Sequence, residues 1–512
     1  MADEEEDGGA PLNDSRFKVH GELRLRGELE DNYQDYNNDG GFSDPAVPGG
    51  KLDDDTAEYF PYRIRLAFEG TFTENLFGQM ELQVGDLFGQ DDEKAGLYET
   101  EDHDGELVLY TGFIHWNRIA GTDWNMRFGR QEFTQGNEFL FGDADYYNGV
   151  SFAGVRVAWD GEPVRFEFLW AQTGEHLGER IDSNLFVVSL TGTVDRGDEW
   201  SFYSSWIVEE EDSSGRNTMN LLTIGARWTR WEGEGSHLIW NAELAYQDGR
   251  VGNPEIVIED LLAPDYGALT GATGDDVYTV AWGGEGAFGY HWDRGESNHK
   301  FYGHVYWASG DKDGDNEDES FRPLFQDLHK RLGRADIVQG TNILSYGLAW
   351  EGEFGEKHVA GVDLMAFMIN EPVVDDTCLA LGAGNFPLNP ADNLRVNCYL
   401  DPDGGFQGWF IPATSRLSGA DRKGDEDDLG QEIDLWYTYH MTEHLSFGAE
   451  FSAFFPGDAI TQLKDYEDFE ILAPDTSAFS SDHAPTLLAA QSRFLLSDDT
   501  AYRLAAQIRL RF

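Results

Sequence analysis

Five of the six carboxylates between residues 311 and 319 have the spacing of a calcium-binding loop. They stand at alternate positions: Asp311, Asp313, Asp315, Glu317 and Glu319. Calcium prefers oxygen ligands, and carboxylates at the first, third and fifth positions of a loop supply them. The run lacks the glycine that such loops have at the sixth position, and Arg322 stands where their last glutamate would be. Two interpretations therefore stay open, a calcium site in an external loop and a solvated acidic loop.

Two cysteines, Cys378 and Cys398, lie in one stretch rich in glycine, proline and asparagine. In an oxidising compartment we expect them to form a disulfide that closes this loop. The bond would contribute about 3 kcal/mol by restricting the unfolded chain. The alternative is two unrelated thiols.

Motifs of enzyme chemistry are absent from the sequence. It contains neither Gly-x-Ser-x-Gly nor His-Glu-x-x-His, and it has no phosphate-cradling loop. We interpret His115, His304 and His440 as lumen or rim groups rather than catalytic bases. The prediction is therefore a protein that is not an enzyme, with a barrel-shaped lipase and a structural or adhesive barrel as minor alternatives.

Apolar and charged side chains alternate, with a period of two residues, in the segments that carry many of the arginines. In residues 17–30, Leu23 and Leu25 share one parity while Arg24 and Arg26 occupy the other. Successive side chains of a strand point to opposite faces, so one face is apolar and the other is charged. This pattern is typical of a transmembrane β-strand, which meets lipid on one side and an aqueous lumen on the other.

The same alternation recurs along the whole chain. Eighteen candidate strands follow from it: 17–30, 62–69, 77–87, 106–117, 123–133, 150–160, 164–170, 184–195, 199–209, 222–228, 238–247, 276–291, 299–309, 342–354, 357–370, 432–439, 444–456 and 502–512. Long links between them alternate strictly with short ones, as the external loops and periplasmic turns of outer-membrane barrels do. We therefore predict an all-β fold, a transmembrane antiparallel β-barrel of about eighteen strands with long acidic extracellular loops. Its organisation is an acidic N-terminal segment, 1–16, followed by a single barrel, 17–512.

Composition agrees with this fold and excludes other classes. The 512 residues include 96 acidic and 36 basic side chains, a net charge of −60, which would repel nucleic acid. No stretch approaches the ~20 apolar residues of a membrane helix. Met1 leads directly into acidic residues, and we interpret it as a start added to a mature chain whose signal peptide has been removed. The terminal Phe512 closes an alternating strand, which is the usual signal for insertion into the bacterial outer membrane.

Four stretches carry a family resemblance. They are 127–132 with 143–145 and 151–156; 310–311 with 320–325, His329 and 333–336; 429–435; and 451–457. In their order and spacing they resemble the alginate-export family of outer-membrane β-barrels. The resemblance implies an eighteen-stranded barrel whose arginine-rich lumen passes acidic polysaccharide.

Nine arginines match that implied lumen: Arg24, Arg26, Arg63, Arg65, Arg127, Arg130, Arg156, Arg165 and Arg227. A guanidinium stays charged and grips a carboxylate in a fork, and many such contacts let a polyanion slide. Among these residues, Arg130 departs from the lumen parity. Barrel closure also brings the last strand beside the first. We therefore expect Arg503, Arg509 and Arg511 to continue the row of lumen arginines beside Arg24 and Arg26.

Two features of the sequence leave the identity of the transported substrate undecided. Glutamates such as Glu22 and Glu28 interleave with the arginines, so a salt-bridged ladder that only stiffens the barrel is an alternative. The turn 441–444 is shorter than we expect in a dedicated alginate exporter. We therefore expect a pore for anionic polysaccharide or small anionic solutes, or alternatively a general or cation-preferring porin whose acidic loops attract cations. Its expected partners are outer-membrane lipid, lipopolysaccharide and periplasmic export proteins.

Overall fold

The computed structural model describes most of the chain. The described residues are 16–31, 42–44, 50–52, 57–88, 107–175, 182–194, 197–209, 219–233, 235–251, 277–310, 317–327, 329–338, 340–371, 427–458 and 500–512. Residues 1–15, most of the predicted N-terminal segment, lie outside them.

Among these residues, eighteen long strands form the wall of a barrel. In chain order they are β1 (Phe17–Asp31), β2 (Pro61–Thr73), β3 (Leu76–Leu87), β4 (Val108–Trp116), β5 (Trp124–Gln131), β6 (Phe152–Asp160), β7 (Val164–Glu175), β8 (Asp182–Val194), β9 (Asp198–Glu209), β10 (Met219–Arg230), β11 (His237–Val251), β12 (Val277–Arg294), β13 (Ser297–Ala308), β14 (Ile343–Phe354), β15 (His358–Ile369), β16 (Asp428–His440), β17 (Leu445–Pro456) and β18 (Ala501–Arg511). Each pairs antiparallel with its neighbours in sequence.

The barrel is closed because β1 pairs with both β2 and β18. Closure satisfies the hydrogen-bonding groups of every wall strand, which a sheet in lipid requires. Shorter pieces accompany the wall: the strands Phe42–Asp44, Gly50–Leu52, Ala57–Tyr59 and Glu317–Asp318, and a 3-10 turn at Ile119–Gly121. The predicted fold class is confirmed, with the short periplasmic turns and long extracellular loops at opposite ends.

The two faces of the wall differ as the alternation predicts. On β1, Leu25 on the outer face is 37% exposed, whereas Arg24 and Arg26 on the inner face are 4% and 5% exposed. Exposed indoles on the outer face include Trp206 and Trp228, which lie near opposite ends of the barrel because their strands are antiparallel. Such aromatic bands are typical of the two membrane interfaces. In the described part of the chain, no helix is long and apolar enough to cross a membrane.

Two links fold back inside the barrel and form what we call the plug, residues 132–151 and 319–342. Their backbones meet where the N–H of Gly142 donates to the carbonyl of Phe325 at 2.7 Å. Phe139 packs on Phe321 and on Tyr306 of β13, with each ring pair 5.6 Å apart between centroids. Tyr306 lies on the inner face of β13, so this aromatic core belongs to the lumen. The plug is therefore a folded unit held against the wall by apolar packing.

Candidate functional site in the lumen

Inner-face arginines of three adjacent strands form the basic wall. Its members are Arg503 and Arg509 on β18, Arg24 and Arg26 on β1, and Arg63 and Arg65 on β2. Arg24 lies directly opposite Arg63 on one side and Arg509 on the other. Like charges at directly opposed positions destabilise a sheet, so this register needs an anionic or strongly polar partner.

Asp145 of the plug supplies the anionic partner. Its carboxylate lies 2.8 Å from Arg63, 2.9 Å from Arg65 and 3.4 Å from Arg509. Burial raises the pKa of Asp145, but Arg63 and Arg65 outweigh burial and hold that pKa at about 2. The carboxylate is therefore charged throughout the physiological range, and arginines of two strands, β2 and β18, converge on it.

Backbone carbonyls of the plug satisfy further donors of the basic wall. Arg24 donates to the carbonyl of Asp145 at 2.6 Å and also to the carbonyl of Tyr147. Arg63 donates to the same two carbonyls at 3.0 and 2.9 Å, and Arg65 donates to that of Asn148 at 2.8 Å. The plug thus presents a row of oxygen acceptors to the guanidinium groups.

Arg503 extends these contacts to the second plug segment. Its guanidinium donates to Asp336 and to Glu28 of β1, each at 2.8 Å. It also lies 5.1 Å from the ring of Tyr146. Burial raises the pKa of Asp336, but the positive charges of His329 and Arg503 lower that pKa by more than burial raises it. The net shift is therefore downward. Both segments of the plug are therefore bound to the basic wall by ion pairs.

The plug also contacts an acidic wall, made of Glu432 and Asp434 on β16 and Glu450 on β17, which adjoins the basic wall because β17 pairs with β18. Here the plug donates instead of accepting. The backbone N–H of Ala335 donates to Glu432 at 2.8 Å, that of Arg334 donates to Asp434 at 3.1 Å, and the Arg334 guanidinium lies 2.9 Å from Glu450. The plug therefore bridges two walls of opposite charge, with its backbone polarity matched to each.

A lower arginine group lies nearer the periplasmic turns, on the inner face of β5, β6 and β7. Arg127 is paired in register with Arg156, and Arg165 follows the next turn. Glu167 lies 2.8 Å from both Arg156 and Arg165. Arg127 donates a hydrogen bond to His115 at 3.3 Å, and the imidazole of His115 carries no negative charge. This group keeps an excess of positive charge.

Comparison with known proteins identifies the family. The sequence model described as alginate export matches residues 76–359, more than half of the chain. The chain belongs to the alginate export family. Comparison with curated protein sequences gives no match.

Solved porins resemble this member of the alginate export family in fold. The outer membrane protein OprD of Pseudomonas aeruginosa is 10% identical, with a TM-score of 0.50 over 97% of this chain and 94% of that chain. Pseudomonas aeruginosa OccK9 (OpdG) is also 10% identical, with a TM-score of 0.50 over 97% and 98% of the two chains. The family and the barrel fold together make this protein an outer-membrane channel rather than an enzyme, in contact with membrane lipid and open to solutes.

Three of the predicted lumen arginines lie outside both groups. Arg227 of β10 is on the inner face and contacts Glu199 at 3.0 Å. Arg511 is at the periplasmic rim, 3.5 Å from Glu22. Arg130 occupies an outer-face register position on β5 and donates to Ser151 at 2.8 Å.

The predicted calcium and disulfide residues fall mainly outside the described part of the chain. Asp311, Asp313, Asp315, Cys378 and Cys398 are not within it. Glu317 lies in a two-residue strand beside β12, and the carbonyl of Glu319 accepts a hydrogen bond from Ser309 at 2.5 Å. Calcium binding and the disulfide stay predictions.

Sequence reasoning missed the residues that neutralise the basic wall, above all Asp145 and Asp336. It also missed the ammonium of Lys330, which links the two plug segments at 3.0 Å from Glu138 and 3.1 Å from both Asp143 and Asp327. One signal was present. Phenylalanines such as Phe139 and Phe321 are unusual in links that are otherwise acidic, and they need an apolar environment.

Proposed function

We propose that this channel passes anionic polymers or small anionic solutes along its arginines, with polyuronates as the main candidates. The observation that carries the proposal is the convergence of Arg63, Arg65 and Arg509 on one carboxylate, that of Asp145. A uronic acid polymer offers one such carboxylate per sugar. The basic wall therefore has the chemistry to bind the polymer in place of Asp145.

The lower arginine group supports the same function. Arg165 is 49% exposed and Arg156 is 23% exposed at the side chain, whereas the Arg63 side chain of the basic wall is 1% exposed. A solute in the periplasmic half of the lumen would meet the exposed group before it meets the covered one. Membership in a family described as alginate export favours a polyuronate over other anions.

A general or cation-preferring porin is the second candidate. It is favoured by the acidic wall of Glu432, Asp434 and Glu450, which lies beside the covered arginines on the neighbouring strands β16 and β17. Local field, rather than the count of charges, governs what enters a narrow pore. If the arginines stay neutralised by the plug, the remaining acids would make the channel prefer cations.

Ion selectivity in planar bilayers distinguishes the two candidates. We expect the unmodified channel to prefer anions in a salt gradient and to be blocked by soluble polyuronate. The triple replacement Arg24→Glu, Arg63→Glu and Arg509→Glu should reverse the selectivity and abolish the block. The same change at Arg127, Arg156 and Arg165 should reverse selectivity with a weaker effect on block, because only Arg156 and Arg165 of these three share a carboxylate, that of Glu167.

A matched control changes the net charge equally outside the lumen. Arg118 lies in a periplasmic turn, Arg230 on the outer face of β10, and Arg294 at the end of β12. Replacing these three by glutamate should leave selectivity and block as they are. An unmodified channel that prefers cations and ignores polyuronate would refute the proposed function and favour the porin alternative.

A further inference from the structure

A cleft of about 420 Å³ opens on the outside of the barrel, where β9 to β12 approach the extracellular loops. We call it the rim cleft. The residues that define it are Trp206, Asn220, Leu222, Asp248, Arg250 and Tyr278. They occupy the outer parity of their strands, since they alternate with fully buried inner-face residues such as Thr223 and Gln247. The cleft is therefore separate from the lumen.

The rim cleft lies at the level of lipid head groups. Asn220 and Trp228 are on the same face of β10, eight residues apart, and Trp228 is in the aromatic band at the other end. Eight residues span about 26 Å along a strand, or about 20 Å across the membrane at the ~40° tilt of barrel strands, so the two positions lie near the two edges of the ~25 Å apolar band. Ile224 and Leu244 lie between these levels and are 51% and 49% exposed to lipid.

The polar groups of the rim cleft are ordered by aromatic residues. The carboxylate of Asp248 accepts hydrogen bonds from Tyr246 at 3.0 Å and from Tyr278 at 2.9 Å. The indole of Trp206 donates to the amide oxygen of Asn220 at 2.7 Å. Arg250 is exposed and pairs in register with both Asn220 and Tyr278. A cation, a carboxylate, an amide and two ring faces are thus held at one edge of an apolar surface.

We propose that the rim cleft binds the phosphorylated sugar head of an outer-leaflet glycolipid. Arg250 binds the phosphate, and Asp248 and Asn220 bind hydroxyl groups of the sugar. Trp206 packs against the sugar ring, and the acyl chains cover Leu222 and the apolar band below it. The carboxylate of Asp248 beside Arg250 argues against a bare phosphate, which it repels, and favours a head group that also offers hydroxyl donors.

The inference rests on the outer-membrane location of the barrel and is independent of what the lumen passes. It can be tested with purified protein in nanodiscs, titrated with diphosphoryl lipid A and followed by native mass spectrometry. Arg250→Gln should weaken binding at least about fivefold, because a charge-assisted hydrogen bond is lost. Arg250→Lys should retain much of the affinity. Asp248→Asn should weaken binding of lipid A while strengthening binding of phosphatidylglycerol, which has a phosphate and no sugar ring.

Arg230→Gln is the matched control. Like Arg250, Arg230 is on the outer face of the barrel, but it lies at the end of β10, at the opposite membrane interface. It should bind lipid A as the unmodified protein does, and the heat-dependent gel shift of each variant confirms that its barrel is folded. Equal affinity of Arg250→Gln and Arg230→Gln would overturn the proposal. Equal affinity of the unmodified protein for phosphatidylglycerol and lipid A would also overturn it, since the sugar would then contribute nothing.

Discussion

The basic wall and the lower arginine group carry the same side chain on the same face of one barrel, but they differ in what surrounds them. The guanidinium groups of Arg24 and Arg63 are covered by plug carbonyls and by Asp145. Arg156 and Arg165 share one glutamate and stay partly exposed. The charge that a solute meets is therefore set by contact with the plug, and counting arginines along the strands overestimates it.

The difference also explains why so many like charges tolerate one another. Isolated buried guanidinium groups are costly unless hydrogen-bonded acceptors surround them. The plug supplies such acceptors at the basic wall, and the lower group avoids the cost by remaining near water. Plug and basic wall are thus one structural unit, whereas the lower group does not need the plug.

The largest effect is expected from loosening the plug. Phe139 is fully buried between Phe321 and Tyr306, so Phe139→Ala should cost about 3–5 kcal/mol of plug stability. Single-channel conductance should rise severalfold, and anion preference should increase because the basic wall is uncovered. Phe202→Ala, on the lipid-facing surface, is the control and should leave conductance unchanged. An unchanged conductance in a folded Phe139→Ala barrel would mean that the plug does not obstruct the lumen.

A smaller and more specific effect is expected from Asp145→Asn. This change removes the carboxylate shared by Arg63, Arg65 and Arg509 and leaves the plug core in place. The polyuronate concentration that gives half-maximal block should fall roughly fivefold, since charge-assisted hydrogen bonds become available to the polymer. Asp143→Asn in the same loop is the matched control, because Asp143 pairs with Lys330 instead. Equal block in both variants would show that the basic wall does not bind the polymer.

Much of this arrangement follows from sequence, and the plug does not. Alternation predicted a strand at 17–30, observed as Phe17–Asp31, because one face must meet lipid. Closure also placed β18 beside β1, which brings Arg509 opposite Arg24. The alternation of apolar and polar residues could not predict that residues 132–151 fold into the lumen. That fold depends on contacts with residues nearly 200 positions away in the sequence, such as Phe325. The link between the strands predicted at 164–170 and 184–195 is shorter than that spacing, because hydrogen bonding extends the observed strands to Val164–Glu175 and Asp182–Val194.

Acidity and alkalinity should affect the attachment of the plug differently. Burial raises the pKa of Asp145, but its arginines outweigh this and lower that pKa to about 2, so its contribution is lost only as pH falls from 3.8 through that value. His329 behaves in the opposite sense. Burial lowers its pKa, but Asp336 and Glu450 outweigh burial and raise it above 6.5. Its contribution is therefore complete below pH 6.5 and is lost as pH rises through the folded-state pKa.

The smallest expected effect is therefore an increase in conductance on the alkaline side alone. His329 stacks on Tyr146 with 3.5 Å between ring centroids, and its ring nitrogens lie 2.9 Å from Asp336 and 3.4 Å from Glu450 of β17. Its proton therefore helps to attach the second plug segment to the acidic wall. Conductance should be constant from mildly acidic pH to pH 6.5 and should increase above that value, and His329→Gln should remove the dependence. His358→Gln at the periplasmic end of β15 should keep it. A dependence that survives in His329→Gln, or that appears on the acidic side, would show that the titrating group is not His329. Since Asp145 stays charged over this range, the basic wall would remain covered, and selectivity should change less than conductance.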